Sequence, residues 1–367
     1  MVDHCLLWVS TSDEPHKDPN KMKLCLRCNN YFSDDKQICP NDGLALEVVG
    51  KDPLIGALIN NRYAVESVVG KGASGIVYKA TRLRMGSAVA IKVVHSYLGA
   101  DPKSMEKFTR EVSALENLRH PNIVSLWESG VTDDGQPYLV MDYLEGTALS
   151  SLLAQAKEGI LPSRVLDISK QVCGALKEAH SQGFVHRDIK PENIVLDNTS
   201  SLDFIKICDF GIAYTAFENR LNTMSRPTTV AGSPAYMSPE QCRGLPLDHR
   251  TDIYSMGLVV FEMFTGKKPF SATTSKEYMV KTVNDKLPKM SELRPDLNIP
   301  EMVEHIVSKA LMKNPNDRFD NIVDFSNNLT AACEASGFAS VKGVKQSDDD
   351  RLQNPSTRVS ERLRGQS

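Results

Sequence analysis

The run His186-Arg187-Asp188-Ile189-Lys190-Pro191-Glu192-Asn193 places a carboxylate, an ammonium and an amide within one short stretch, and Asp209-Phe210-Gly211 adds a second carboxylate further on. Moving a phosphoryl group needs this inventory. One carboxylate receives the acceptor's proton, an amide oxygen and another carboxylate hold magnesium, and a cation offsets charge on the transferred group. Asp188, Asn193, Asp209 and Lys190 could fill those roles in that order. Each is commonplace alone, and a lone histidine such as His186 is more often packed in a core than catalytic. The spacing and order carry the information.

Elements upstream must bring a nucleotide to that run. Gly70-Lys71-Gly72-Ala73-Ser74-Gly75 fits a glycine-rich phosphate loop, a weak signal by itself. A dinucleotide fold would open a helix after the third glycine, whereas Ile76-Val77-Tyr78-Lys79 continues as a β-branched strand. The Gly-Lys-Ser/Thr string of a P-loop is absent from the sequence. What remains is a hairpin whose backbone can lie over a triphosphate. Alternating apolar positions predict strands over 63–68, 76–78 and 88–94, and the last carries Lys92, within reach of α- and β-phosphates. From Lys103 the period changes to that of a helix, with Met105, Phe108, Val112 and Leu115 on one stripe and Glu111 inside it. A carboxylate on a buried face needs a partner, and Lys92 is the natural candidate.

Two more strands are expected around Ile123–Trp127 and Tyr138–Met141. Val165, Ile168, Val172, Ala175 and Ala179 mark a long helix ending near Gly183, and residues 253–264 are apolar on nearly every side, as suits a helix in the middle of a helical lobe. The chain of 367 residues carries a net charge of −3, which argues against nucleic acid or an anionic membrane as its main partner. It holds no apolar run near the roughly twenty residues of a membrane span, so a cytoplasmic location is expected. Eight cysteines in a chain this long do not make a disulfide scaffold.

Three of those cysteines cluster. Cys25-Leu26-Arg27-Cys28 and Cys39-Pro40-Asn41-Asp42-Gly43 have the spacing of a small zinc ribbon, with Asp42 where a fourth cysteine would stand. Three thiolates and a carboxylate make an acceptable tetrahedral set for Zn2+. Three reduced cysteines in a loop, or a ligand taken from His4 or Cys5, are the alternatives. The expected organisation is a disordered leader over 1–20, the knuckle over 21–49, a linker over 50–60, a catalytic domain over 61–333 and a disordered tail over 334–367.

Glycine loop, Lys92, Glu111, Asp188, Asn193 and Asp209 follow the order of the protein kinase signature set. Val89-Ala90-Ile91-Lys92, His120-Pro121-Asn122, Ser238-Pro239-Glu240, Asp252-Ile253-Tyr254-Ser255-Met256-Gly257 and Arg318 stand where that family has corresponding elements. Over roughly 60–333 the chain resembles the eukaryotic-like serine/threonine kinases of bacteria. The resemblance implies an α+β bilobal fold, a small antiparallel β lobe plus one helix and a larger mainly helical lobe, with ATP between them. Gly70, Lys71, Gly72, Gly75, Val77, Ala90, Lys92, Met141, Asp142 and Leu144 would then line the nucleotide site, Met141 as gatekeeper and the backbones of Asp142 and Leu144 on adenine. The family's roles carry over residue by residue: Asp188 and Lys190 in catalysis with Lys92 and Glu111, Asn193 and Asp209 on Mg2+. Lys190 favours a serine or threonine hydroxyl as acceptor, so protein substrates bearing Ser or Thr are the expected partners. Ser233 and Ser238 are small departures that keep the chemistry.

Thr215, Thr223, Ser225, Thr228 and Thr229 fill a polar segment before Glu240, and Arg187 could pair with a phosphate placed there. Autophosphorylation through a transient homodimer is expected. The alternative is a pseudokinase scaffold that binds nucleotide and partners without catalysis.

Overall fold

The computed structural model describes residues 21–25, 31–33, 36–39, 43–72, 75–94, 102–156, 158–198, 203–210 and 234–340. The expected leader, the segment from Gly211 to Ser233 and the chain beyond Ser340 lie outside them. Near the N-terminus β1 (Lys21–Leu24), β2 (Tyr31–Ser33) and β3 (Glu47–Lys51) form a small antiparallel sheet in the order β2-β1-β3.

A six-stranded antiparallel sheet follows, built from β4 (Leu58–Ile59), β5 (Tyr63–Gly72), β6 (Gly75–Arg82), β7 (Ser87–Val94), β8 (Leu126–Val131) and β9 (Pro137–Asp142). Its order is β4-β5-β6-β7-β9-β8. Period-two alternation decides which side chains meet. Val77, Ala90, Val94, Leu139 and Met141 join the cluster that continues into the rest of the protein, with Val112 and Leu115 of α1 (Pro102–Leu115). Ile76, Tyr78, Val89, Ile91 and Val93 form a separate cluster on the other face. Arg62, just before β5, meets Glu128 of edge strand β8 at 2.7 Å, so the sheet curls until its two ends touch.

The larger lobe opens with β10 (Gly146–Ala148), α2 (Leu149–Gln155) and α3 (Pro162–Ser181), then the hairpin β11 (Ile194–Asp197) and β12 (Ile205–Ile207). After the short α4 (Pro239–Cys242), α5 (Arg250–Thr265) is buried at every position from Thr251 to Thr265. That burial is the reason for its unbroken apolar sequence. It stops at Gly266, whose φ of 66° makes the left-handed cap and whose N–H reaches Glu262 O at 2.7 Å. α6 (Ser275–Asn284), α7 (Met290–Leu293), α8 (Glu301–Ala310) and α9 (Ile322–Ala335) complete the lobe. No helix among the described residues is long and apolar enough to cross a membrane.

Three local expectations differ. The strand expected from Ile123 begins at Leu126, because Asn122 turns inward and donates to Ile205 O (2.8 Å) and Gln171 Oε1 (2.9 Å). Ile123 is left with a single parallel bridge to Ile207. Packing also continues past residue 333: α9 runs to Ala335, and Phe338 is 2% exposed against Phe264. One aromatic in a polar stretch is enough to hold a short 3-10 turn over Phe338–Ser340. Finally, the stretch expected as a linker contains the end of β3, a turn and all of β4.

Candidate active site

The loop carrying Asp188 adopts a backbone that its residues disfavour. Arg187 has φ 66°, and Asp209 has φ 58°. Non-glycine residues in the left-handed region cost on the order of 1–3 kcal/mol unless surroundings fix them. Asp252 of α5, fully buried, accepts from the backbone N–H of His186 (2.8 Å) and of Arg187 (2.8 Å), and pairs with His180 Nε2 (2.8 Å). Burial pushes the Asp252 carboxyl up, but His180 and the loop's N–H donors outweigh it and hold the pKa below its ordinary value. From the opposite side Gln241 Nε2 donates to Arg187 O at 2.7 Å. The turn is therefore clamped on both its N–H and C=O sides.

His186 is spent on structure. Its Nδ1 accepts from Asp188 N (3.3 Å) and its Nε2 donates to Cys208 O (3.1 Å), with the ring 4.5 Å from that of Phe210. Burial lowers its pKa, so the ring is neutral, in the Nε2–H form its partners require. It has no nitrogen left for a substrate proton.

Asp188 and Lys190 are paired at 2.7 Å, and their exposures differ: 32% for the carboxylate side chain, 2% for the lysine. The accessible partner is the carboxylate. Asn193, fully buried, donates to Asp188 O (2.8 Å) and Oδ2 (3.1 Å), which orients that carboxylate. Its own Oδ1 is buried and finds no hydrogen-bond partner among the described residues. A buried, unsatisfied amide oxygen in the same site as a carboxylate is a hard-oxygen donor set that fits magnesium.

Across the cleft Lys92 Nζ lies 2.8 Å from Asp209 Oδ1, with side chains 10% and 8% exposed. Sequence reasoning paired Lys92 with Glu111. Glu111 does sit on α1, but its side chain lies outside what the structure describes; among the described residues Lys92 contacts Asp209. β5 and β6 form the glycine hairpin, with Gly70 opposite Val77, Lys71 opposite Ile76 and Gly72 opposite Gly75. A Cβ on Gly75 would run into Val93 O, so only glycine lets β6 approach β7 there. Val77, Ala90 and Met141 share the inner face. Asp142 turns its carboxylate away from them, accepting from Trp127 Nε1 (2.8 Å) and Ser125 N (3.1 Å), while its own N–H donates to Ser125 O (3.1 Å). An apolar cavity lined by Phe108, Leu118, Leu139, Met141 and Phe210 adjoins Lys92 and Asp209.

His180 and Gln241 were not singled out from sequence. Gln241 reads as the last member of the Ser238 capping box, which it also is, and His180 offers no local signal. Of the proposed zinc ligands, Cys25 and Cys39 are buried in one small cluster with Leu44 and Leu46, whereas Cys28 and Asp42 lie outside the described residues.

Residues 63–327 match the protein kinase domain family. Among curated proteins the chain is similar to the serine/threonine-protein kinase pkn3 of Myxococcus xanthus, 36% identical over 269 residues, 73% of this chain and 49% of that protein. It is also similar to the serine/threonine-protein kinase PrkC of Bacillus subtilis, 35% identical over 81% of this chain and 44% of PrkC. The chain thus spans less than half of each. Among solved structures the kinase domain of Mycobacterium tuberculosis PknI superposes with a TM-score of 0.58 at 29% identity, covering 76% of this chain and 98% of that domain. With the strained loop, the paired carboxylates and the glycine hairpin in place, these matches assign the chain to the protein kinase family.

Proposed function

We propose that this protein is a serine/threonine protein kinase that transfers the γ-phosphate of ATP to hydroxyls of proteins. The observation that carries the reading is the Asp188–Lys190–Asn193 constellation, in which the carboxylate alone is open to an acceptor. Asp188 orients the hydroxyl and accepts its proton at Oδ1 or Oδ2, while Asn193 fixes the carboxylate's direction. Lys190, within reach of the same point, offsets charge on the group in flight. Lys92 binds the nucleotide's phosphates, and the Gly70–Gly75 hairpin covers them with backbone. Asn193 and Asp209 would hold Mg2+, which neutralises phosphate charge when bound.

Autophosphorylation of the segment between Asp209 and Glu240, in trans through a transient homodimer, is part of this reading, with Arg187 as the cation that receives the new phosphate. A chelated zinc knuckle is a further part. Cys25 and Cys39 are buried together, and the chain returns on Cys39: its N–H reaches Leu44 O at 2.7 Å and Gly43 N–H reaches Cys39 O at 2.9 Å. Metal would supply stability that so small a cluster cannot. Elemental analysis of protein purified without chelator should find about one zinc per chain; none would remove this part alone.

The decisive assay compares wild type with Asp188→Asn in magnesium and labelled ATP. Loss of a positioned base costs about 10²–10⁴-fold in rate. Equal incorporation by the two proteins would refute catalysis through Asp188.

A further inference from the structure

The match to the kinase family begins at residue 63, so the segment between the small N-terminal sheet and Tyr63 lies before the matched residues. That segment is packed on the phosphate-binding hairpin from behind. β3 ends at Lys51, and Asp52 follows with only 3% exposure. Its Oδ1 accepts from Leu54 N (2.9 Å), which closes a turn, and its Oδ2 accepts from the hydroxyl of Tyr78 (3.1 Å). Leu54 joins the outer cluster, Gly56 N–H reaches Val65 O (2.9 Å), and Val65 N–H reaches Ala57 O (3.0 Å).

Tyr78 lies on β6, the return strand of the glycine hairpin. The next residue toward the loop, Val77, faces the nucleotide side. Tyr78 is paired with Val68 at the edge of a bulge, since the β5–β6 register shifts between Val68 and Gly70. Bulges bend a strand and weaken its ladder, so pairing to β5 is locally weakened where Tyr78 stands, while β7 still pairs it with Ile91. A buried carboxylate is an expensive group to keep in the wrong place, and its contact with the Tyr78 hydroxyl fixes the strand at that point.

We propose that Asp52 is a positioning residue for ATP, and that residues 52–57 form a strap that holds the phosphate-loop hairpin in its nucleotide-binding geometry. The strap is continuous with β3, whose partner β1 leads to Cys25. This inference rests on the kinase reading, and the two fail separately. Wild type that binds no nucleotide and transfers no phosphate refutes the kinase reading.

The test uses the full chain and two readouts, steady-state phosphorylation as a function of ATP and direct titration with the magnesium complex of a non-hydrolysable ATP analogue. Asp52→Ala and Tyr78→Phe should each raise KM for ATP and the analogue's Kd by about fivefold, with kcat changed less than about twofold. The double variant should be no worse than the weaker single, because both remove one interaction. Asp52→Asn keeps an acceptor for Leu54 N–H and can donate to the tyrosine oxygen, so its rise should be smaller than that of Asp52→Ala. A merely structural role would lower melting temperature and leave the KM-to-kcat pattern alone. If Asp52→Ala does not fold, Tyr78→Phe and Asp52→Asn decide: unchanged nucleotide affinity in both, or additive effects in the double variant, overturns the proposal.

Discussion

At the scale of single residues, the site is defined by which polar atoms are satisfied. Asn193 uses its amide hydrogens on Asp188 and leaves Oδ1 buried and unpartnered among the described residues, which is costly unless a cation completes it. Asn193→Ala should therefore do two things at once. It should lower kcat by about 10²-fold and raise the magnesium concentration giving half-maximal rate. A rate-versus-magnesium curve separates these, and an unshifted midpoint would mean that Oδ1 is not a ligand. Arg187→Ala makes the companion case. If the guanidinium receives a loop phosphate, the variant should show the low activity of phosphatase-treated wild type and gain nothing when preincubated with ATP.

The run 186–193 was legible as a unit because its residues are adjacent in sequence, and the structure brings Asp188, Lys190 and Asn193 together. Their distant partners were not. Lys92 meets Asp209 across a separation of 117 residues, a pairing that no pattern in either segment announced. His180 was invisible for the same reason, since its partner Asp252 is 72 residues away.

At the scale of elements, α5 is the rod on which the catalytic loop and the following segment are hung. Its N-terminal turn carries Asp252 for the loop and Thr251 for Glu240, whose Oε1 it reaches at 2.7 Å. Glu240 also takes both arms of Arg318, at 2.7 Å each, and the pair is nearly solvent-free. Burial alone pushes the Glu240 carboxyl up, but Arg318 dominates in sum and holds it below the ordinary value of 4.5. The unfolded chain thus takes up a proton before the folded one does. The pair's contribution is complete above about pH 4.5 and drains away as pH falls toward the folded value. Arg318→Met leaves Glu240 buried without its cation and should cost ~3–5 kcal/mol. Melting curves should show this penalty shrinking as pH falls below about 4.5, and Glu240→Gln with Arg318→Met should restore part of the loss. A penalty that grows in acid would contradict the sign argued here.

At the scale of the whole molecule, the change of period made individual strands and helices readable, because each period reports a face that must be buried, while their assembly into a bilobal α+β fold came from the resemblance to the kinase family. The end of the packed chain was harder. Sequence composition placed it at residue 333, since Ser, Asp, Arg and Gln dominate beyond Gly337, and composition averages over the one residue that matters. Phe338 packs into the cleft between α3, α5 and α9, 5.6 Å from the ring of Phe264, and is almost fully buried. Removing a buried phenylalanine typically costs ~3–5 kcal/mol. A chain truncated after Ser336 should accordingly melt about 5–10 °C lower than one truncated after Ser340, and Phe338→Ala in the full chain should reproduce most of that drop. Since Phe264 lies in α5, the same rod that carries Asp252, the loss should also increase hydrogen exchange in the 186–188 segment. If truncation after Ser336 melts with the longer chain, Phe338 is a passenger and the boundary belongs at Ala335.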